Sequence, residues 1–147
     1  MDFKLKKFKE LKGEEIYEIL KIRNEVFIVE QQCAYLDCDG KDREAYHLFL
    51  EVNKGIVAYL RILQKGVSYD EISIGRVLVN KNHRRKGIAQ EMMIKAIKFI
   101  EENLNEREVR IEAQEYLVDF YRGFGFEEVS DMYLEDGIPH IEMLYKK

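Results

Sequence analysis

The sequence has little of what marks an exported or membrane-spanning protein. It holds only two cysteines, Cys33 and Cys38, which are too few for a disulfide framework, so we expect both to be reduced thiols. No run approaches the roughly eighteen apolar residues of a membrane-spanning helix. The charged start, MDFKLKKFKE, lacks the apolar segment of a secretory signal. These absences predict a cytoplasmic protein with no membrane partner.

An excess of positive charge is also missing. Lys and Arg together number 24 and Asp and Glu 28, which gives a net charge of −4. Proteins that bind nucleic acids more often carry a basic excess, so we expect no nucleic-acid partner. The chain has a single proline, no repeat and no Pro/Gly/Ser-rich linker. With 147 residues, 46% of them hydrophobic, it is predicted to form one domain spanning residues 1–147.

The hydrophobic periodicity predicts a mixed α/β domain of the order β-α-β-β-β-α-β-α-β-β. The apolar residues of 88–104 form one stripe, which makes this the clearest helix. A long irregular segment, 30–46, precedes the second strand. Loops of this length are more often functional or mobile than simple connections. The predicted helices are 14–27, 88–104 and 117–124, the last closed by Gly125, and the predicted strands are 3–8, 47–52, 56–63, 71–79, 108–113, 126–129 and 140–145.

The sharpest local signal is a strand that runs through a short basic turn directly into the long helix. The turn contains Arg84, Arg85, Lys86 and Gly87, and Ile88, Ala89 and Gln90 follow it. The start of a helix presents free N–H groups and a positive dipole end, and a glycine lets an anion approach the main chain. The P-loop and G-x-G-x-x-G patterns are both absent. The turn therefore predicts a phosphate-bearing ligand that is held in neither of those two ways.

Gly75 interrupts the strand before this turn, and a glycine within a strand often marks a bulge. If the strand bends there, main-chain groups of Val77, Leu78 and Val79 lose their partners. An extended ligand with amide groups pairs with such groups as an added strand would. The pantetheine arm of coenzyme A, which leads to a pyrophosphate, is a ligand of this kind.

At this point the sequence resembles the GNAT superfamily of acetyltransferases. Residues 84–89, RRKGIA, match its [RQ]-x-x-G-x-[GA] signature, and 120–126, FYRGFGF, are similar to its F-Y-x-x-x-G-F segment. A narrower resemblance to the ElaA-like branch rests on 26–31 (VFIVEQ), on 73–77 (SIGRV), on 135–141 (EDGIPHI), and on Tyr35, Asp37, Asp39, Gly40, Asp42 and His47. The resemblance implies a GNAT-like fold with a splayed central sheet, acetyl-CoA as cofactor and N-acetyltransferase activity. Gln114 stands where many members have Asn, and it is a further candidate for a contact with the cofactor.

Acetyl transfer from a thioester needs a polarised carbonyl and a proton for the departing thiolate. The resemblance places Tyr121 beside the coenzyme sulfur, and a phenol can donate to a thiolate. Phe120, which precedes it in the same segment, is predicted to contact the cofactor. A backbone N–H near Val77 is expected to polarise the carbonyl. The general base is left open among Glu112, His47 and Glu30.

The acidic segment 37–42 does not fit a metal site. Its glycine stands fourth, whereas an EF-hand needs glycine at six and glutamate at twelve. Cys33, Cys38 and His47 lack a fourth zinc ligand, so no metal is predicted. The aspartates are expected either to cap turns or to form an acidic rim that attracts a cationic amine. The candidate substrate residues are Glu30, Asp37, Asp39, His47 and His140.

The leading hypothesis is thus acetyl-CoA-dependent acetylation of a small-molecule or peptide amine. The alternative is a coenzyme A-binding regulatory module without turnover. The two differ at Tyr121, whose hydroxyl only the enzyme needs. The sequence leaves the identity of the amine and the oligomeric state open, and a homodimer is among the states that it allows.

Overall fold

A computed structural model describes residues 1–147 and contains eight strands and three α-helices. The helices are α1 (Gly13–Arg23), α2 (Ile88–Asn103) and α3 (Val118–Arg122). The strands are β1 (Phe3–Lys7), β2 (Ala45–Val52), β3 (Gly55–Leu63), β4 (Ile72–Val79), β5 (Glu108–Gln114), β6 (Phe126–Glu128), β7 (Tyr133–Glu135) and β8 (Ile138–Lys146). No helix is long and apolar enough to cross a membrane.

All eight strands belong to one sheet, in the order β1-β2-β3-β4-β5-β8-β6, with β7 also paired to β8. Every pairing is antiparallel except that between β4 and β5. These two strands pair only through Ile72 with Val109 and Ser73 with Arg110, and they diverge beyond that point. The predicted mixed sheet with a splayed centre is confirmed.

The helices cover opposite faces of the sheet, because alternate residues of each central strand point to opposite sides. On one face α2 and α3 pack into the larger core, where Met92, Met93 and Ile100 are fully buried. On the other face α1 packs against a smaller cluster that includes Phe49 and Tyr59. The splayed strands β4 and β5 therefore run between two helical layers.

Several boundaries differ from the prediction. The first helix begins at Gly13 and ends at Arg23, and the chain continues as a π-helix over Asn24–Glu30. The helix before Gly125 ends at Arg122, so Gly125, with φ +104°, lies in the turn after it instead of closing it. β2 begins two residues earlier than expected, and the short strand β7 was not predicted. Asp136 and Gly137, both with positive φ, join β7 to β8 in a tight hairpin.

Candidate active site

The diverging strands β4 and β5 leave a cleft between them. The first turn of α2, which follows the far end of β4 along the chain, forms the mouth of this cleft. The backbone N–H groups of Gly87, Ile88, Ala89 and Gln90 donate no hydrogen bond within the protein. Gly87 is the N-cap, has a left-handed φ of +78°, and has open space where a Cβ would stand. Four free amide groups at a positive helix end, with room beside them, form a site that suits an anion such as a pyrophosphate.

The basic side chains of this turn differ in what they contact. Arg85 and Lys86 are exposed and form no ion pair, so their charges remain available to a ligand. Arg84 instead donates from Nε to the carbonyl oxygen of Val79 at 2.8 Å and from its two Nη atoms to the carboxylate of Glu30 at 2.6 and 3.0 Å. The sequence predicts a cofactor contact for Arg84 and a base or substrate contact for Glu30, and in the folded protein these two side chains form one ion pair.

A bulge in β4 lies beside the cleft, as expected, but not at Gly75 itself. Tyr59 of β3 pairs with Leu78 and Arg61 with Gly75, so Arg76 and Val77 together face Leu60 alone. Arg76 has a left-handed φ of +52°. The extra residue of a bulge loses its ladder partner, and β5 is no longer paired to β4 at this level. Main-chain groups of β4 are therefore free to bind an extended ligand.

The side chains of the predicted cofactor segment divide by burial. Leu78, Val79 and Ile88 are buried in the two cores, so only their main chain faces a ligand. Val77 and Ala89 are half-buried and pack against the larger core.

Tyr121 lies on α3 with 6% of its surface exposed, packed edge-on against Phe120 and Phe126. Its hydroxyl has no hydrogen-bond partner in the chain and retains some contact with solvent. Burial raises the pKa of the Tyr121 phenol well above its usual value, so the hydroxyl stays protonated at neutral pH. A protonated, unpartnered hydroxyl has the properties of a proton donor.

Residues 30–33, at the end of the π-helix and directly after it, contact residues on both sides of the gap between the diverging strands. The Nε2 of Gln114, at the end of β5, donates to the Oε1 of Gln31 at 3.3 Å. The Sγ of Cys33 contacts the carbonyl oxygen of Asp136 in the β7–β8 turn at 3.4 Å. Together with the pair between Glu30 and Arg84, these contacts make residues 30–33 one wall of the cleft.

The expectation of a free acidic rim is wrong, because arginines neutralise the aspartates. Asp37 binds Arg23 and Arg76, each from Nε at 2.8 Å. Asp39 pairs with Arg61 and, more loosely, with Arg76. The pairing with Arg61 holds the pKa of Asp39 far below its usual range, although burial alone would raise it. These ion pairs hold the 37–42 segment against β3 and β4. They leave no unpaired aspartate in the segment to attract an amine.

His47 also has a structural role instead of the predicted contact with substrate. It is 1% exposed, and its Nε2 lies 2.9 Å from the carbonyl oxygen of Asp42. Since a carbonyl can only accept, Nε2 carries the hydrogen and Nδ1 accepts from the Tyr59 hydroxyl at 2.7 Å. Burial lowers the pKa of His47 and keeps the ring neutral. With both nitrogens occupied, His47 has no free atom with which to act as a base.

His140 and Glu112 lie on the wall formed by β5, β7 and β8. His140 is nearly buried, stacks on Tyr133 and donates from Nδ1 to the carbonyl oxygen of Ile138 at 2.7 Å. Glu112 is exposed and accepts one hydrogen bond, from the Tyr133 hydroxyl at 2.7 Å. Burial together with the charges of Glu112 and Glu142 raises the pKa of the nearby Tyr69 to about 12. Of the three candidate bases, Glu112 is the one that is exposed and forms no ion pair, since Glu30 is paired with Arg84 and His47 is buried.

Sequence reasoning missed the residues that organise this site from a distance. Arg23, Arg61 and Arg76 come from three separate elements and meet only in the folded protein. Arg23 is the most informative of them: it is fully buried within a helix, where an arginine is retained only if it is paired. The one sign of this pairing in the sequence was that Arg23 stands at a position of α1 where the helical spacing places apolar residues.

Comparison with known proteins identifies the family of the chain. Residues 9–147 match the family model described as Acetyltransferase (GNAT) domain. The chain therefore belongs to the GNAT acetyltransferase family. Over 91% of its length it is 38% identical to Escherichia coli ElaA, of which 89% is covered. It is 37% identical to a UPF0039 protein of Schizosaccharomyces pombe, with 97% and 95% of the two chains covered.

A solved structure gives the same result at the level of the fold. The crystal structure of an acyl-CoA N-acyltransferase from Pseudomonas aeruginosa superposes with a TM-score of 0.93 and 35% identity, over 99% of both chains. The extent of this match shows that the splayed sheet and the helices around it are shared along the whole chain.

Proposed function

We propose that this protein is an N-acetyltransferase that moves an acetyl group from acetyl-CoA to a primary amine. The observation that carries the proposal is the cleft between β4 and β5, with the four free amides of Gly87–Gln90 at its mouth. Family membership and the similarity to a protein described as an acyl-CoA N-acyltransferase support it. The free amides at the start of α2 and the unpaired main chain of β4 suit a long ligand with an anionic end and an amide-bearing arm.

The residues present fit the pyrophosphate and the pantetheine arm of coenzyme A. The amides of the first α2 turn bind the pyrophosphate, assisted by the free charges of Arg85 and Lys86. The unpaired edge of β4 near Val77 hydrogen-bonds the pantetheine arm in the manner of an added strand. Gln114, on the opposite strand, is already engaged with Gln31, so it contacts pantetheine only if that bond exchanges.

Acetyl-CoA supplies the acetyl group as a thioester. The N–H of Val77 donates to the carbonyl oxygen and stabilises the negative charge that develops there. Glu112 accepts the proton that the amine must lose, directly or through one water. A C–N bond forms, the C–S bond breaks, and the hydroxyl of Tyr121 donates its proton to the departing sulfur.

Burial affects both groups in the final proton transfer, which are the phenol of Tyr121 and the departing thiol. In water a thiol has a pKa of about 8.5 and a phenol one of about 10, so the transfer is slightly uphill. Burial raises the pKa of Tyr121 further, but a thiolate leaving into the same water-poor site is destabilised as well. The two increases oppose each other in the difference between the pKa values, and that difference decides how well Tyr121 acts as a general acid.

The proposal is tested by release of free thiol from acetyl-CoA in the presence of a peptide N-terminal amine, a lysine derivative and a polyamine. In Tyr121→Phe we expect kcat to fall about 100-fold, with an unchanged Kd for coenzyme A. Tyr46→Phe is the matched control, because Tyr46 is half-buried, packs edge-on against Phe99 and makes no side-chain hydrogen bond.

The alternative function predicts a different result. If wild-type protein binds coenzyme A but turns over none of these amines, the chain is a coenzyme A-binding module and the enzymatic proposal fails. If it turns over an amine and Tyr121→Phe matches wild type, the transfer proceeds without Tyr121 as its acid.

A further inference from the structure

The bulge in β4 is built on a residue type that rarely adopts its conformation. Arg76 has a φ of +52°, in the left-handed region that disfavours any residue with a Cβ. Non-glycine residues persist there only when the surroundings hold them. Gly75, next to it, has an ordinary φ and does not take the left-handed position. The contacts of Arg76 must therefore stabilise the bulge.

Four groups contact the Arg76 side chain, the loosest being the Asp39 carboxylate, whose Oδ2 lies 3.5 Å from Nη2. The Nε of Arg76 donates to the Asp37 Oδ1 at 2.8 Å, its Nη2 donates to the Asp37 carbonyl oxygen at 3.1 Å, and its guanidinium lies over the Tyr35 ring at 5.4 Å. Asp37 is itself fixed, because it accepts from Arg23 Nε at 2.8 Å and from the Tyr35 hydroxyl at 3.2 Å. Asp37, which binds Nε and Nη2, and Tyr35, which covers one face, thus form a clamp around the guanidinium, and both residues of the clamp have further partners.

We propose that Arg76 is a positioning residue: held by Asp37 and Tyr35, it keeps β4 in the left-handed bulge and so orients the N–H of Val77 toward the acyl carbonyl. This inference rests on the proposed function and adds a residue that does not itself touch the reacting atoms. It also gives the Asp37 carboxylate a role in place of the acidic rim. The 37–42 segment then supports the carbonyl-binding group from outside the cleft.

The first measurement uses three variants. Arg76→Ala removes the clamp and keeps a Cβ, so residue 76 is expected to leave the left-handed region. Arg76→Gly removes the clamp from a residue that adopts positive φ without strain. Arg110→Ala is the matched control: the side chain of Arg110 is 22% exposed like that of Arg76, forms two ion pairs and lies over Tyr69 at 5.7 Å, but it stands in a regular part of β5.

The readout is the carbonyl stretching band of [1-13C]acetyl-CoA bound to each protein, measured by infrared difference spectroscopy. A hydrogen bond from Val77 shifts this band to lower frequency than in free acetyl-CoA. We expect the shift in wild type and Arg110→Ala, a reduced shift in Arg76→Gly and none in Arg76→Ala. Turnover of Arg76→Ala should fall about 100-fold, as on loss of one such donor, while Kd for acetyl-CoA changes less than threefold.

A second measurement needs no ligand. In the free protein, the 15N–1H signal of Val77 is expected to move in Asp37→Ala, which removes the partner of Arg76 without changing a sequence neighbour of Val77, and to stay in place in Arg110→Ala. The inference is overturned if Asp37→Ala leaves the Val77 signal in place, if Arg76→Ala keeps the carbonyl shift, or if Arg110→Ala loses the carbonyl shift equally. If wild type fails to bind acetyl-CoA while the Val77 signal responds as expected, the proposed function fails and the structural coupling between Arg76 and Val77 stands.

Discussion

Replacing Gly87 with alanine separates the cost of backbone strain from the loss of ligand binding. Gly87 has a φ of +78°, and no atom lies within 4 Å of the place where a Cβ would stand. The alanine therefore fits sterically but is strained. A left-handed alanine costs about 1 kcal/mol of folding free energy, which in a chain of this size lowers Tm by about 2 to 4 °C.

The effect on ligand binding is expected to be larger than this strain. The methyl group occupies the open space through which an anion reaches the amides of residues 87–90. Weakening one hydrogen bond to a charged group costs about 1.5 to 3 kcal/mol, which corresponds to a loss of about 10- to 100-fold in affinity for coenzyme A.

The assay is calorimetric titration with coenzyme A, with Gly66→Ala as the control. Gly66 has a φ of +84° and equally open surroundings, but it lies in the β3–β4 connection instead of at the cleft mouth. Both variants should lose similar stability, and only Gly87→Ala should lose affinity. Equal affinities in the two variants would refute the assignment of the α2 amides to the pyrophosphate.

Two further predictions concern the support of the site. Arg23→Met leaves Asp37 and Asp42 without their buried partner and should destabilise the fold by about 3 kcal/mol, measured by urea unfolding; a change below about 1 kcal/mol would show that Arg61 and Arg76 suffice. His47 has a lowered pKa in the folded state, so the unfolded chain binds more protons as pH falls below about 6.5, and stability must decrease in that direction. His47→Gln removes this contribution, so its unfolding free energy should fall less steeply than that of wild type between pH 6.5 and 5; parallel slopes would contradict the assignment.

The parts of the fold that could be predicted from the sequence are those set by local patterns. The apolar stripe of α2 and the basic turn before it are contiguous in the chain, and both lie where they were expected. The splayed sheet followed from the family resemblance, since no local pattern shows where two strands stop pairing. Strand β7 was missed because its three residues are too few to show an alternation.

The errors at the aspartates and at the bulge share one physical cause, which is pairing between residues distant in sequence, whereas the error at the first helix is local. Asp37 and Asp39 read as free acids because Arg61 and Arg76 lie more than twenty positions away. The π-helix after Arg23 has nearly the apolar spacing of an α-helix, so 14–27 appeared to be one regular element. The bulge was placed at Gly75 because glycine is the usual residue of left-handed backbone, whereas here contacts of the arginine side chain hold that conformation.

The central claim is that the main-chain amides at the start of α2 bind the diphosphate of coenzyme A. Its most direct test is an NMR titration of 15N-labelled protein with coenzyme A and, separately, with pantetheine, which lacks the diphosphate. We predict that coenzyme A shifts the amide signals of Gly87, Ile88, Ala89 and Gln90 and that pantetheine leaves them in place. Saturation with coenzyme A that left these four signals unmoved would contradict the account.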